Sequence, residues 1–251
     1  MPHQAPLLPI GNTFVELTTV DSTNNYAMGL VQKGFARHGA VFFAYNQTEG
    51  KGQRGKSWLS LPGENLILSV VLQPAILMPH HTFSLSAAIA MACYDLFKKY
   101  AGQQVKIKWP NDIYWRDRKA GGILIENIMG NDFWHYAIVG IGMNINQTQF
   151  SENLIRPISL KQITGHSYHL TELAKELCVL LETHYQNLLT DQGKIFEYYN
   201  NNLYKINEPI RLKKKNIVFD TILKGVSIEG KLITNDKMER EFNFGEVEWI
   251  L

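Results

Sequence analysis

Cysteine is scarce in this sequence, and the scarcity excludes a protein held together by disulfides. Two cysteines, Cys93 and Cys178, occur among 251 residues and lie in different stretches with helical periodicity. Two are too few for a disulfide framework, so we expect reduced thiols and a cytoplasmic location.

A long apolar run and a secretory leader are missing as well. Nowhere does the chain reach the roughly 18 consecutive apolar residues that a membrane helix needs. It starts Met-Pro-His-Gln-Ala-Pro, without the charged start and apolar run of a secretion signal. We therefore expect no membrane as a partner.

Neither sign of charge is in excess. Lysine and arginine number 25 against 23 acidic residues, a net charge of +2, which argues against a dedicated nucleic-acid coat protein. A hydrophobic fraction of 45% and a charged fraction of 19% are typical of a folded protein. The length suits one large domain, or one medium domain with a small appendage.

Strand and helix patterns are mixed along the first 205 residues, while short alternating strands dominate afterwards. We predict an α+β domain over 1–205 and a small β-barrel domain over 206–251, which we expect to pack on the first because its size is near the lower limit for independent stability. The predicted strands of the first domain are 12–19, 40–45, 65–72, 105–109, 113–115, 123–127 and 133–141, and its predicted helices are 26–33, 84–100, 173–189 and 195–202. The predicted barrel strands are 210–212, 217–224, 226–228 and 231–234.

A polar, glycine-rich loop lies between two of the predicted strands. Residues 50–58 read GKGQRGKSW, so that cations alternate with glycines. Glycines let backbone N–H groups approach an anion closely, and the cations neutralise it, which predicts a phosphate or carboxylate clamp. The same composition also suits a solvated, flexible loop.

A second motif, KWPND at 108–112, is followed by Lys119 and the glycine pair Gly121-Gly122. Asp112 can hold Mg²⁺ through a carboxylate oxygen, or it can simply stabilise a turn. Lys119 can lie beside a bound anion, or it can be a charge at a loop tip.

Two further motifs offer small polar side chains. Residues 140–146 read GIGMNIN, and asparagine offers a donor and an acceptor that suit a purine edge. The alternative is an irregular strand end with glycine bulges. Residues 22–24 read Ser-Thr-Asn, which indicates either a helix cap or a set of groups facing a ligand.

Taken in order, these motifs resemble the biotin–protein ligase family over roughly residues 20–147. The carrying residues are STN at 22–24, QTEGxGxxGxxW at 47–58, KWPND at 108–112, KxGGILxE at 119–126 and GxGxNxN at 140–146. The resemblance implies a mixed β-sheet with helices packed on one side, as in class II synthetases, plus a C-terminal SH3-like β-barrel. It also implies a two-step reaction: biotin and ATP give biotinyl-AMP and pyrophosphate, and a carrier lysine then displaces AMP.

The resemblance further implies Mg²⁺ and a protein partner, a biotin carboxyl carrier protein domain of acetyl-CoA carboxylase or a related carboxylase. The implied catalytic residues are Lys119, Asp112, which is also the implied metal ligand, and Arg54. The implied biotin-binding residues are Ser22, Thr23, Asn24, Gln47, Gly50, Gly52, Lys119, Gly121 and Gly122. The implied ATP- and adenylate-binding residues are Lys51, Gln53, Arg54, Lys56, Trp58, Asn111, Lys119 and Asn144.

One position departs from the family pattern. The residue after the second loop glycine is usually an arginine that retains the adenylate, whereas this chain has Gln53 followed by Arg54. We expect Arg54 to replace it with a different loop backbone. Alternatively, Lys51 and Lys56 compensate and the adenylate leaves sooner.

Other functions remain as alternatives. A lipoate–protein ligase or octanoyl transferase shares the fold, and a non-catalytic biotin- or nucleotide-binding regulator would share the pocket. A covalent-lysine nucleotidyl transferase is disfavoured, because its lysine sits in Lys-x-Asp-Gly whereas Lys119 precedes Ala-Gly-Gly. No helix-turn-helix pattern precedes the first strand, so we expect a ligase that binds no DNA. A monomer and a homodimer both remain open.

The glycine-rich loop generates a first prediction. We expect residues 48–61 to be mobile without ligand and to become ordered over the adenylate. Limited proteolysis should therefore cut this loop quickly in the free protein and slowly with biotin plus ATP. Equal cleavage rates in the two states would contradict the prediction.

Overall fold

The computed structural model describes residues 7–74, 82–130, 133–151, 154 and 156–250. Within these ranges the strands of the first sheet are β1 (Thr13–Leu17), β2 (Ala40–Ala44), β3 (Leu66–Leu72), β4 (Val105–Lys108), β5 (Asp112–Trp115), β6 (Arg118–Met129) and β7 (Trp134–Met143). The helices are α1 (Thr23–Gln32), α2 (Thr82–Ala101), α3 (Leu160–Thr164), α4 (Leu170–Thr190) and α5 (Gln192–Asn201).

These strands form a seven-stranded sheet in the order β1-β2-β3-β7-β6-β5-β4. The β1–β2 pair is parallel and the other pairs in the described ranges are antiparallel, so the sheet is mixed. The longest pairing joins β6 and β7, from Gly121 opposite Met143 to Met129 opposite Trp134. The predicted α+β class with a mixed sheet is confirmed.

Helices cover both faces of this sheet. The helices α2, α4 and α5 pack in the main core on the face to which Val41 and Phe43 point. Helix α1 lies on the other face, where Ala27 and Val31 pack with Phe42. Successive strand residues point to opposite faces, so Phe42 necessarily faces away from its neighbours. The expectation of helices on one side holds for α2, α4 and α5 and is corrected for α1.

The short helix α3 was not predicted from the sequence. It begins at a capping box, in which the Gln162 backbone N–H donates to Ser159 Oγ at 3.2 Å and the Ser159 N–H donates to Gln162 Oε1 at 3.1 Å. It ends at Gly165 in the left-handed conformation, with φ of 78°. Five residues are too few to show a helical period in the sequence.

The C-terminal region forms a separate antiparallel sheet. Its strands are β8 (Pro209–Lys214), β9 (Ile217–Val226), β10 (Leu232–Asn235), β11 (Glu239–Phe242) and β12 (Glu248–Trp249). Their order is β11-β10-β9-β8-β12, and the two outer strands do not pair with each other within the described residues. The predicted SH3-like barrel is therefore corrected to an open five-stranded sheet, because closure requires the outer strands to meet.

One predicted strand of this sheet is wrong, and two strands were missed. Val226 ends β9, and the chain then turns, with the Lys231 carbonyl accepting from the Ser227 N–H at 2.9 Å. The predicted strand at 226–228 is thus mainly a turn. Strand β11 escaped prediction because three of its four residues are charged, and β12 because it has only two residues.

The second sheet packs against the first and against α5. The Trp109 indole N–H donates to the Gly230 carbonyl at 3.0 Å, and the Val226 N–H donates to Asn200 Oδ1 at 2.7 Å. Phe83 of α2 lies directly beside Gly230. This packing agrees with the expectation that so small a unit packs on its neighbour.

Of the helices in the described ranges, none combines the length and apolar character that crossing a lipid bilayer requires.

The packing of α2 between the sheet and α4 generates a stability prediction. Leu85 is fully buried, so Leu85→Ala should lower the free energy of unfolding by about 2–5 kcal/mol. Val179 on α4 is 66% exposed, so Val179→Ala should change it by less than about 0.5 kcal/mol. Denaturant unfolding of both variants checks this, and similar losses in the two would contradict the described core.

Candidate active site

A single open cleft of about 690 Å³ collects most of the residues singled out by the sequence. The glycine-rich loop, the ends of β6 and β7, the 108–112 turn and the C-terminal sheet all contribute to its wall. The predicted residues that line it are Ser22, Thr23, Asn24, Gln47, Lys51, Gly52, Gln53, Arg54, Lys56, Trp58, Asn111, Asp112, Lys119, Gly122 and Asn144.

Two predicted site residues, Gly50 and Gly121, lie behind this wall. A Cβ atom at Gly50 would stand 2.4 Å from the Trp58 carbonyl oxygen, and one at Gly121 would stand 3.0 Å from the Gly142 carbonyl oxygen. Both glycines therefore allow close backbone packing next to the cleft. A direct contact of either glycine with biotin stays a prediction beside this structural role.

Small polar side chains form one buried part of the cleft. The Thr23 backbone N–H and hydroxyl both donate to Gln47 Oε1, at 2.7 and 3.1 Å. The Ser69 hydroxyl lies 2.7 Å from Thr23 Oγ1 and 2.5 Å from Asn24 Oδ1. Sequence reasoning missed Ser69, although a polar residue within the apolar strand Leu66–Leu72 is a signal that could have found it.

The alternative role of the Ser-Thr-Asn motif, helix capping, receives no support. Ser22 occupies the N-cap position of α1, yet its side chain makes no capping hydrogen bond. Ser22 is instead one of the residues that line the cleft, where it is 2% exposed. The observations favour polar groups that face a ligand.

A carboxylate that received no role from the sequence connects this polar cluster to the loop. Glu126 accepts a hydrogen bond from Asn24 Nδ2 at 2.7 Å through Oε2, and its Oε1 lies 3.5 Å from Lys51 Nζ. Gly140 makes room for this arrangement, because a Cβ atom there would stand 2.4 Å from Asn24 Oδ1. The buried cluster and the glycine-rich loop are therefore joined by a continuous set of polar contacts.

The two residues implied as catalytic by the second motif form an ion pair. Lys119 Nζ lies 2.6 Å from Asp112 Oδ1, with the two side chains 34% and 16% exposed. Beside them, Asn111 Nδ2 donates to the Ile123 carbonyl at 2.5 Å, which fixes the turn. The pair holds the ammonium in the cleft and leaves it partly open to an incoming anion.

The loop residues Gln53 and Arg54 point in different directions. Gln53 Nε2 is 3.5 Å from the Ile123 carbonyl oxygen on β6. Arg54 adopts the left-handed conformation, with φ of 56°, and its guanidinium lies 5.0 Å from the Phe244 ring of the C-terminal turn. Its Nη2 packs against Gly245, where a Cβ atom would collide with it. The one-residue shift of the arginine thus directs its side chain toward the second sheet.

Trp58 lies on a floor of glycines. Gly122 and Gly142 are opposite each other on β6 and β7, and a Cβ atom at Gly142 would stand 2.4 Å from Trp58 Cε2. The Trp58 indole N–H is buried and has no hydrogen-bond partner within the described residues. The sequence indicated Trp58 but gave no role to Gly140 or Gly142, where a side chain would collide with Asn24 and with Trp58 respectively.

Asn144 ties three segments together. Its Nδ2 donates to the Lys119 carbonyl at 3.3 Å and to the Ile158 carbonyl at 3.2 Å. The side chain is 5% exposed at the cleft wall. A contact of Asn144 with adenine stays a prediction beside this structural role.

Lys108 also lines the cleft, although its motif was recognised without giving it a role. Its Nζ lies 5.2 Å from the centre of the Tyr114 ring and 5.1 Å from that of Trp249. Burial lowers the pKa of the Lys108 ammonium to about 8. The positive charges of Lys119 and Lys56 also lower this pKa, while the negative charge of Asp112 raises it.

The charges of the cleft favour an anionic ligand. Among the described residues that line it, five are cationic and two are acidic: Lys51, Arg54, Lys56, Lys108 and Lys119 against Asp112 and Glu248. The described residues contain no group of three or more His, Cys, Asp or Glu side chains that would hold a metal ion by themselves. A single carboxylate, Asp112, instead suits Mg²⁺ that arrives on phosphate oxygens.

Solved structures share this fold. The biotin protein ligase of Aquifex aeolicus, in complex with biotin and ATP, superposes with a TM-score of 0.81 at 23% identity, over 95% of this chain and 99% of that one. The chain therefore has the fold of this class of ligases.

Sequence comparisons place the chain more closely. It is 29% identical over 231 residues to the bifunctional ligase/repressor BirA of Escherichia coli, covering 89% of this chain and 69% of that protein. It is 31% identical over 160 residues to the biotin–[acetyl-CoA-carboxylase] ligase of Paracoccus denitrificans, covering 60% and 64%. Two further bifunctional relatives are matched over about half of their own length, 45% and 56%.

The model of the biotin/lipoate A/B protein ligase family matches residues 16–144, about half of the chain. The chain belongs to this family.

The glycine floor generates a matched pair of predictions. Gly142→Ala should force Trp58 out of its position and lower the free energy of unfolding by about 1–3 kcal/mol, because the new Cβ overlaps the ring. Gly29 lies inside α1 with open space around it, so Gly29→Ala should raise the stability by about 0.5–1 kcal/mol. Denaturant unfolding measures both, and a Gly142→Ala variant as stable as the parent would contradict the described position of Trp58.

Proposed function

We propose that this protein is an ATP-dependent biotin–protein ligase, which activates biotin to biotinyl-5′-AMP and transfers it to a lysine of a carrier domain. The observation that carries the proposal is the Lys119–Asp112 ion pair, with its 2.6 Å separation, in one cleft with both a neutral polar cluster and a cation-rich loop. The cluster suits an uncharged polar head, and the cations suit a carboxylate and a triphosphate.

The polar cluster is assigned to the ureido ring of biotin. Ser22 and Thr23 are buried and Gln47 is half-buried, and their side chains offer donors and acceptors to a polar head whose groups would each cost about 1–3 kcal/mol if left unpaired. Trp58 and the glycines beneath it provide a flat apolar surface for the fused rings. A plain acyl chain such as octanoate would offer these side chains no hydrogen bond beyond those that they already make to one another, whereas the ureido ring offers donors and an acceptor, which favours biotin.

Activation joins two anions, so positive charge is the main requirement. A biotin carboxylate oxygen attacks the α-phosphorus, a new P–O bond forms, and the bond to the pyrophosphate oxygen breaks. Lys119 is assigned to the carboxylate and the α-phosphoryl oxygens, where negative charge accumulates in the transition state. Arg54, Lys51 and Lys56 stabilise the phosphates. Mg²⁺, held by Asp112, would supply further neutralisation.

Transfer requires an uncharged amine. A free lysine has a pKa near 10.4, so the acceptor lysine must lose a proton before it attacks. Asp112 is assigned as the group that receives this proton. The amine nitrogen then bonds to the acyl carbon, the bond from that carbon to the AMP oxygen breaks, and the nitrogen releases its second proton to solvent as the amide forms.

The acceptor is assigned by relationship. Because the Paracoccus denitrificans relative is named a biotin–[acetyl-CoA-carboxylase] ligase, we propose the carrier domain of such a carboxylase as the partner, without DNA. The two buried, free cysteines suit the reducing cytoplasm in which that partner would work. We also propose 1–205 as the catalytic unit and 206–251 as the smaller domain.

The proposal is tested by the intact mass of a carrier domain after incubation with this protein, ATP and Mg²⁺. Biotin, lipoate and octanoate compete in one tube, and a reaction without ATP runs beside it. We expect an ATP-dependent increase of the size of biotin. Lys119→Met should slow adenylate formation by about 10²–10³-fold, because it removes the charge that stabilises the transition state. Lys237→Met, at an exposed turn, is the matched control.

The other outcomes are equally informative. A mass increase of the size of lipoate or octanoate would agree with the described fold but would contradict the assignment of the polar cluster to the ureido ring of biotin. Biotinyl-AMP in solution without transfer would indicate an unsuitable carrier or loss of the adenylate at Gln53. If neither a carrier adduct nor an adenylate forms, the proposed enzymatic function is wrong.

A further inference from the structure

Lys108 occupies a position in the cleft that connects the two sheets. It is the last residue of β4 and stands opposite Asp112 of β5 in the strand register. Its ammonium lies close to the faces of Tyr114 from the first sheet and Trp249 from the second, at 5.2 and 5.1 Å. Aromatic faces attract a cation without neutralising it, because they carry no net charge.

The nearby carboxylate is already engaged. Asp112 Oδ1 holds Lys119 Nζ at 2.6 Å, so one negative charge serves two ammonium groups. Lys56 lies within electrostatic reach of Lys108 and adds to the excess. Glu248, the other acidic residue of the described lining, is exposed at the end of the second sheet. This part of the cleft therefore keeps uncompensated positive charge.

We propose that Lys108 binds the β- and γ-phosphates of the nucleotide and that Trp249 of the C-terminal sheet positions it for this contact. This inference rests on the proposed ligase function, in which Lys119 serves the carboxylate and the α-phosphate. The remaining phosphates carry most of the charge of ATP and leave together as pyrophosphate. A cation beside Lys119, held by rings and not by a carboxylate, fits their chemistry.

A purely structural role would look different. A lysine that only filled space between Tyr114 and Trp249 could be replaced by methionine, which has a similar length and no charge. Its loss would then affect all ligands equally, through the shape of the cleft. A phosphate-binding lysine should affect only ligands that carry the β- and γ-phosphates.

Calorimetry with ATP, AMP and inorganic tripolyphosphate, each with Mg²⁺, and with biotin as a fourth ligand separates these roles. For Lys108→Met we expect the affinity for ATP and tripolyphosphate to fall about tenfold or more, while AMP and biotin bind as before. Lys108→Arg should recover part of the loss. Lys106→Met, two residues earlier on β4 and outside the cleft lining, is the matched control and should bind all four ligands normally.

The positioning role of Trp249 is tested in the same assay. Trp249→Leu should weaken ATP and tripolyphosphate by about 2–5-fold, and Trp249→Phe should restore most of the affinity, because a ring face is enough. Trp249→Leu in the Lys108→Met background should cause no further loss.

The proposal is overturned if Lys108→Met leaves tripolyphosphate binding unchanged, if it weakens AMP as much as ATP, or if the parent protein binds no polyphosphate. Tripolyphosphate binding does not require biotin transfer. Binding that depends on Lys108 in a protein that transfers no biotin would therefore refute only the ligase function. Biotin transfer with normal ATP affinity in Lys108→Met would refute only the present inference.

Discussion

Mutual repulsion among cations is the constraint around which this cleft is built. Five cationic side chains share a space of about 690 Å³, and each must be kept in place before a ligand neutralises it. Two of the five each pair with a carboxylate, and two others lie against aromatic rings. These pairs are Lys51 with Glu126, Lys119 with Asp112, Arg54 with Phe244, and Lys108 with Tyr114 and Trp249. Partners of moderate strength keep the cations ordered and still allow an anion to compete.

The second sheet takes part in this arrangement although it contributes none of the residues that the sequence motifs indicate. Phe244 and Trp249 come from its last turn and last strand, and both lie against cations of the first domain. The Trp109–Gly230 hydrogen bond holds the two sheets together next to these contacts. This small sheet thus becomes one wall of the cleft.

The sequence predicted the parts of the fold that depend on local pattern. The strand at 66–72 and the long amphipathic helices lie close to the positions that their periodicity predicted. Nearly all the residues that the family resemblance implied as site residues line one cleft. What it missed depends on distant contacts. Ser69, Glu126 and Lys108 gain their roles only because β3, β6 and β4 bring them to residues far away in the chain. The barrel was wrong because closure is decided by two outer strands with weak local signals.

The distribution of tryptophan around the cleft has a practical consequence. Of the five tryptophans in the chain, Trp58, Trp109 and Trp249 line it, one from the loop, one from the 108–112 turn and one from the second sheet. An indole changes its emission when its surroundings change from solvent to a packed ligand. The intrinsic fluorescence of this protein is therefore an optical reporter of occupancy that needs no label. Removing one indole at a time would assign the signal to the loop, the turn or the second sheet.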